Sequence, residues 1–139
     1  MENRYSRRVQ YYETDKMGIV HHSNYIRIFE EARVDYLHKI GLDFAMVEGF
    51  GFLSPVLSVN CEYLHSLRFG DEFYTETRFV DFGVVKYRLC YKVYQAGTDI
   101  LCARGESVHC FTDLNGKVVS VKRENKELYE RFVKAANGK

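Results

Sequence analysis

The sequence contains no tryptophan, a single proline (Pro55) and no long run of apolar residues. A membrane helix needs about 18 consecutive apolar residues, so no membrane span is expected. The formal net charge is +1, and this near balance argues against a nucleic-acid-binding surface or an acidic tail. Residues 1–8 lack the apolar segment of a signal peptide, so a cytoplasmic location is expected.

The cysteines also lack any metal-binding or redox spacing. There are four of them, at Cys61, Cys90, Cys102 and Cys110, with no CxxC pair and no zinc-finger arrangement with histidine. We expect reduced, partly buried thiols, since free cysteine packs as a small hydrophobic residue, with one disulfide or a reactive cysteine as the alternative. No metal and no other cofactor is expected.

The length of 139 residues suits one domain, 1–139, which can bury a core without cross-links. One apolar stripe recurs at helical spacing, formed by Tyr25, Phe29, Ala32, Tyr36 and Ile40. This stripe predicts a helix over residues 24–40. Ser23 and Asn24 suit its N-cap, and Gly41 suits its C-cap.

The rest of the chain is rich in strand signals, with 15% aromatic residues. Strands are predicted over residues 7–13, 57–63, 72–80, 84–94, 100–112 and 118–121, and a last helix over 123–136. Short turns between strands imply antiparallel neighbours, and the long helix must cover the apolar face of the sheet. The prediction is an α+β fold in which a long central helix is wrapped by a curved antiparallel sheet.

The segment that joins the first strand to the long helix could carry chemistry. It contains Asp15 and Gly18 and ends where a helix start offers roughly half a positive charge and unpaired N–H groups. These are the minimum parts for attack on an activated acyl group. On spacing alone, Asp15 is more typical of a turn or cap residue than of a catalytic carboxylate. The adjacent His21 and His22 could be a general base, metal ligands or surface residues, although two histidines do not complete a zinc site.

The same segment resembles the signature of the 4-hydroxybenzoyl-CoA thioesterase family. The matching residues are Tyr11-x-Glu13-Thr14-Asp15-x-Met17-Gly18-Ile19-Val20-x-His22-x-Asn24-Tyr25. The pattern is most similar to the acyl-CoA thioesterase subgroup associated with the bacterial Tol–Pal genes. Phe29-Glu30-x-Ala32-Arg33 and Phe69-Gly70-Asp71 extend the resemblance along most of the chain. The resemblance implies a hotdog fold.

The resemblance also implies roles for particular residues. Asp15 would be the catalytic carboxylate, acting as nucleophile or general base, and the His22 backbone N–H would polarise the thioester carbonyl. Gly18 would shape the loop, and Tyr11 and Tyr25 would line the acyl site.

Basic residues on the strand over 84–94 are a further candidate. Lys86 and Arg88 would bind CoA phosphates, or else form an ordinary solvated strand face. His65 and His109 are interpreted as structural.

The expected function is therefore hydrolysis of an acyl-CoA to free acid and CoA. The alternatives are a hotdog dehydratase that acts on a hydroxyacyl thioester and a non-catalytic acyl-CoA-binding domain. A homodimer or homotetramer is expected, because long strands rarely leave their edges uncovered and hotdog relatives build the acyl site at a subunit interface.

Overall fold

The structure is a computed structural model that describes residues 3–138. Within these residues the chain forms six strands, four α-helices and a 3₁₀ turn over Tyr11–Glu13. The strands are β1 (Arg4–Arg8), β2 (Val56–Tyr63), β3 (Glu72–Phe82), β4 (Lys86–Gln95), β5 (Leu101–Thr112) and β6 (Val118–Val119). The helices are α1 (Asn24–Lys39), α2 (Phe44–Gly49), α3 (Val121–Glu124) and α4 (Lys126–Asn137).

The strands make one antiparallel sheet in the order β1-β3-β4-β5-β2, and the short β6 pairs with β5. The strands β3, β4 and β5 are successive neighbours because short turns containing Gly83 and Gly97 join them. The prediction of antiparallel neighbours is confirmed. Within the described residues, β1 and β2 are the outer strands of this order.

The long helix α1 lies against the sheet, as the apolar stripe predicted. The ring of Phe29 in α1 stacks on the ring of Tyr91 in β4, and the two ring centroids are 4.5 Å apart. Gly105 of β5 permits this approach, because a Cβ built there would lie 2.8 Å from Cε2 of Phe29 and 2.0 Å from the carbonyl oxygen of Asn60. A long helix wrapped by an antiparallel sheet is the hotdog arrangement, so the predicted fold class is confirmed.

The predicted strand over residues 7–13 is wrong in its second half. The regular pairing of β1 with β3 ends at Arg8 and Glu72, although the Val9 N–H still donates to the Asp71 carbonyl over 2.9 Å. The chain turns into the 3₁₀ segment instead, where the Glu13 carboxylate accepts the N–H of Gln10 over 2.8 Å. A side-chain hydrogen bond therefore overrides the alternating pattern.

The C-terminal helix also differs from the prediction, because it is two helices rather than one over 123–136. Asn125 breaks it with an extended φ of −153°, and its side chain accepts the N–H of Leu128 to start α4. The short helix α2 was not predicted at all. Asp43 caps it by accepting the N–H of Met46 over 2.9 Å.

Candidate active site

The segment between the 3₁₀ turn and α1 folds back on itself as a tight ribbon. The Asp15 N–H donates to the Ile19 carbonyl over 2.8 Å, and Thr14 pairs with Val20. Gly18 occupies the bend with φ of +82°, a conformation that favours glycine, and its N–H donates to the Asp15 carbonyl over 2.9 Å. The ribbon holds Asp15 at a defined place instead of leaving it on a loose loop.

The Asp15 carboxylate is half-buried and only partly engaged. Its Oδ1 accepts the N–H of Met17 over 2.8 Å, which locks the side chain into the turn. Within residues 3–138, no hydrogen bond or ion pair engages Oδ2. The side chain is thus oriented by one oxygen while the other is available to a substrate or a water molecule.

The start of α1 supplies a donor beside this carboxylate. The N–H of Asn24 donates to the His21 carbonyl over 2.9 Å, whereas no acceptor among residues 3–138 takes the N–H of His22. Ser23 occupies the N-cap position, but its hydroxyl pairs with Nδ1 of His21 over 2.9 Å and makes no cap hydrogen bond. The predicted N-cap position of Ser23 is confirmed, although His21 takes its hydroxyl, while Asn24 lies inside the helix and is not a cap.

A pocket of about 440 Å³ brings these groups together. Its wall contains Asp15, His22 and Tyr25 from the ribbon and α1, and Tyr63 to Ser66 from the end of β2 onward. His65, interpreted as structural from the sequence, lies in this wall. A larger cavity of about 750 Å³ lies between α1, β3 and α4, but neither Asp15 nor His22 lines it. The smaller pocket is the better candidate because it holds a carboxylate and a helix start.

The pocket has an aromatic side. The ring centroids of Tyr25 and Tyr63 lie 5.4 Å apart, and the Tyr63 hydroxyl donates to the His22 carbonyl over 3.3 Å. Burial raises the pKa of Tyr25 well above its ordinary value, so its hydroxyl stays protonated and able to donate. The pocket therefore combines an apolar surface for an acyl group with a few placed polar groups.

The sequence-based reasoning missed the carboxylate that stands behind the ribbon. Glu13 is 3% exposed and receives two hydrogen bonds from Arg7, over 2.8 Å and 2.6 Å. Burial alone would raise the pKa of Glu13, but the hydrogen bonds from Arg7 and from the Gln10 amide lower it below its ordinary value. Its only sequence signal was its position in the family pattern, since no periodicity marks Arg7 as its partner.

Four of the predicted binding residues do not line this pocket: Gly18 lies in the bend of the ribbon beside it, and the other three lie further away. Tyr11 is 75% exposed and packs edge-on against Phe69, with centroids 5.5 Å apart. Lys86 pairs with Cys110, at the far end of β5 from the residue that pairs with Tyr63. At about 3.3 Å per residue along a strand, that separation is roughly 23 Å.

Arg88 is occupied by carboxylates on the exposed face of the sheet. It forms ion pairs with Asp81 and Glu106, each over 3.6 Å. Asp15, Gly18, His22 and Tyr25 are therefore the predicted residues that the fold brings together, while Tyr11, Lys86 and Arg88 lie apart from them in this chain.

The described residues present neither a metal-binding cluster nor a membrane-spanning helix. Among residues 3–138, no cluster of three or more histidine, cysteine or acidic side chains could hold a metal ion. In the same residues, no helix combines the length and the apolar character needed to cross a membrane. All four cysteines are free thiols, and burial raises the pKa of each.

Comparisons with known proteins identify the superfamily and support the fold. A solved structure of a hypothetical protein from Aquifex aeolicus is 37% identical, with 91% of this chain and 98% of that chain covered and a TM-score of 0.81. The DHNA-CoA thioesterase from Staphylococcus aureus is 26% identical, with 95% and 89% covered and a TM-score of 0.88. The 1,4-dihydroxy-2-naphthoyl-CoA hydrolase of Thermosynechococcus vestitus is 27% identical over 96 residues, 68% of this chain and 66% of that protein. The family model described as the thioesterase-like superfamily matches residues 9–133, and the chain therefore belongs to that superfamily.

Proposed function

We infer that the chain is an acyl-CoA thioesterase, which hydrolyses an acyl-CoA to a free acid and CoA. The observation that carries this function is the meeting of the Asp15 carboxylate and the unpaired His22 N–H in one pocket at the start of α1. Superfamily membership and the activities for which the relatives are named support thioester hydrolysis. The finer placement, in the Tol–Pal-associated subgroup of the 4-hydroxybenzoyl-CoA thioesterase family, rests on the segment from Tyr11 to Tyr25.

The His22 N–H acts on the thioester carbonyl in this proposal. As a nucleophile adds to the carbonyl carbon, negative charge develops on the oxygen, and an N–H at a helix start stabilises it. The carbon–sulfur bond then breaks, and the CoA thiolate leaves. The thiolate is a good leaving group, so no metal is required.

Asp15 has two possible roles, both of which need the ionised carboxylate. As a general base it takes a proton from water while the water oxygen bonds to the carbonyl carbon. As a nucleophile it forms an acyl–aspartyl anhydride, which water then hydrolyses to release the acid. The free Oδ2 supports either role, and labelled water separates them, because only the anhydride route can put solvent oxygen into Asp15 during a single turnover.

Assembly belongs to the same proposal. The outer strand β2 carries exposed apolar side chains, at Val56, Leu57, Tyr63 and the adjoining Leu64. Because Tyr63 and Leu64 also line the pocket, a second copy seated on this edge would close it. A homodimer or homotetramer with shared sites follows, in which Lys86 and Arg88 would serve the CoA of a neighbouring subunit. A cytoplasmic location and a single domain over 1–139 stay predictions, testable by cell fractionation and limited proteolysis.

A panel of acyl-CoA esters with a free-thiol readout tests the function. The panel should include 1,4-dihydroxy-2-naphthoyl-CoA and benzoyl-CoA beside aliphatic esters of several lengths. We expect release of CoA from at least one ester, and much slower release by Asp15→Asn although the variant still binds CoA. Binding without hydrolysis by the wild-type chain would contradict the proposal and favour a binding domain, whereas elimination of water from a hydroxyacyl-CoA would favour a dehydratase.

A further inference from the structure

A buried ion pair stands behind the ribbon that carries Asp15. We propose that the pair of Arg7 and Glu13 positions both Asp15 and the His22 N–H, so that loss of the pair slows turnover in a protein that remains folded. Neither member lines the pocket, so both are positioning residues and not catalytic ones. The kinetic consequence rests on the proposed function, whereas the anchoring itself stands on hydrogen bonds.

The side chain of Glu13 has both oxygens engaged by one guanidinium. Nη1 of Arg7 donates to Oε1 over 2.8 Å, and Nη2 donates to Oε2 over 2.6 Å. The two side chains are only 17% and 4% exposed. A forked pair of this kind fixes the orientation of the carboxylate as well as its place. Oε1 also accepts the Gln10 N–H over 2.8 Å, so the 3₁₀ turn is tied to the same group.

The main chain of Glu13 then anchors the helix end of the ribbon. Its carbonyl accepts the N–H of His21 over 2.8 Å and the side-chain amide of Asn24 over 2.9 Å. His22 follows His21 directly, so the direction of its N–H depends on this anchor. Asp15 lies two residues after Glu13, at the other end of the ribbon. Glu13 therefore links β1 to both parts of the proposed site, the Asp15 carboxylate and the His22 N–H.

The alternative is that the Arg7–Glu13 pair merely stabilises the fold. A second partner of Arg7 allows this role to be distinguished from positioning of the site. Glu31 of α1 accepts from Nε of Arg7 over 2.8 Å and from the Tyr5 hydroxyl over 3.0 Å. Within residues 3–138, Glu31 makes no hydrogen bond to the ribbon. It shares the cation with Glu13 without touching the site, which makes Glu31→Gln a matched control for Glu13→Gln.

The kinetic test compares these two substitutions on the full-length protein. Glu13→Gln keeps the size of the side chain but weakens the forked pair, and small displacements of reacting groups can cost about 10²-fold in rate. We expect kcat to fall by roughly 10- to 100-fold with KM within about threefold of wild type. Glu31→Gln, and Glu72→Gln in the exposed pair with Arg8, should keep kcat within about threefold.

Combination with Asp15→Asn adds a readout that a general structural defect would not produce. If Glu13 acts by placing Asp15 and the amide beside it, Glu13→Gln should slow the residual activity of Asp15→Asn by much less than it slows the wild type. A defect in folding would instead reduce both backgrounds by the same factor. Equal reductions in the two backgrounds would overturn the proposal.

Amide hydrogen exchange tests the anchor without reference to activity. The N–H of His21 should exchange faster in Glu13→Gln and remain protected in Glu31→Gln. Unchanged exchange, or a kcat for Glu13→Gln equal to that for Glu31→Gln, would overturn the proposal. A wild-type protein that hydrolyses no ester would end the proposed function while the exchange result still decides the anchor. Should Glu13→Gln fail to fold, Arg7→Lys, which keeps the charge but loses the fork, takes its place with the same expectations.

Discussion

Two polar clusters lie beneath α1, and they differ in charge. The Arg7 cluster consists of Arg7, Glu13 and Glu31, in which one cation meets two carboxylates. Its members touch the ribbon on one side and the helix on the other. Every charge has an opposite charge within hydrogen-bond distance, as buried ionic groups require.

The Arg33 chain lies further along the helix and consists of Arg33, Tyr91, Ser107 and His109. Hydrogen bonds link these residues in that order, over 3.1 Å, 2.6 Å and 2.6 Å. Within residues 3–138, the one carboxylate in ion-pair range of Arg33 is that of the exposed Glu30, 4.0 Å away. Burial, followed by the charge of Arg33, lowers the pKa of His109 to about 4, so the imidazole stays neutral in the folded protein.

The two clusters are expected to have different roles, the Arg7–Glu13 pair in positioning the proposed site and the Arg33 chain in stabilising the fold. In the Arg7 cluster, Glu13 lies two residues from Asp15, so loss of the Arg7–Glu13 pair should slow turnover, whereas loss of Glu31 should not. Within residues 3–138, no member of the Arg33 chain lines the pocket or hydrogen-bonds to its wall, so damage to this chain should lower the free energy of unfolding instead. The largest effects on rate are therefore expected in the ribbon and its neighbours, and the largest pH effect on stability in the Arg33 chain.

The largest effect is expected at Asp15 itself. Asp15→Asn should lower kcat by on the order of 10²–10⁴, since the amide is neither a base nor a nucleophile. The free energy of unfolding should change little, because an amide oxygen can still accept the Met17 N–H. Asp113→Asn, in another turn where the carboxylate accepts two backbone N–H groups, is the matched control. Near wild-type kcat in Asp15→Asn would contradict the assignment.

The next effect concerns the backbone at His22. His22→Pro removes the N–H, and loss of one oxyanion donor costs roughly 10²–10³ in kcat. His22→Ala keeps the N–H and removes the imidazole, so it should slow the enzyme much less. Steady-state kinetics of both variants, with circular dichroism to confirm that α1 persists, measures the difference. If His22→Ala were as slow as Asp15→Asn, the side chain and not the amide would be the main actor.

The two clusters should contribute to the free energy of unfolding over different pH ranges. His109 has a folded pKa near 4, below its unfolded value of 6.5, so the unfolded state binds more protons between these values. Stability should fall as pH drops from 6.5 to 4, by roughly 3 kcal/mol for this group. Glu13 has a lowered pKa, so its contribution is present above about 4.5 and is lost only at lower pH.

Urea unfolding of variants from pH 7.5 to 3.5 measures these windows. His109→Gln cannot titrate and should flatten the curve between pH 6.5 and 4, while its amide can still bond to Ser107. Glu13→Gln should flatten only the part below about 4.5. An unchanged slope in His109→Gln would mean that the imidazole is not kept neutral in the folded protein.

The elements that could be read from the sequence are those whose signal is local. The stripe through Phe29 predicted α1, because a helix that covers a sheet must repeat its apolar residues every three or four positions. Tyr87, Leu89 and Tyr91 predicted β4 for the corresponding reason, since alternate residues of a strand face the core. The hotdog fold then came from the resemblance and the order of the elements.

The features that could not be read depend on contacts between distant residues. Arg7 and Glu31 are 24 positions apart, and only the pairing of β1 with β3 beside α1 brings them together. The broken C-terminal helix depends on a single capping side chain, Asn125. The family pattern predicted roles for Asp15 and His22, which the fold brings into one pocket, but no pattern in one chain could place Lys86 and Arg88 relative to the proposed site of a neighbouring subunit.

The smallest effect is expected from metal chelation. His21 and His22 of the ribbon are accessible to a metal ion, unlike the buried His109. The rings of His21 and His22 lie 4.2 Å apart, which would suit two ligands of one ion, but Nδ1 of His21 already bonds to Ser23. Zinc sites in proteins need at least three ligands, and residues 3–138 place no third histidine, cysteine or carboxylate in such a group. Dialysis against EDTA should therefore leave kcat and KM unchanged, with a zinc hydrolase treated in parallel to show that the chelator works. The prediction would be contradicted if EDTA removed the activity, zinc or manganese restored it, and His21→Ala prevented that restoration. The ribbon would then bind an ion, and Asp15 would act on a metal-bound water.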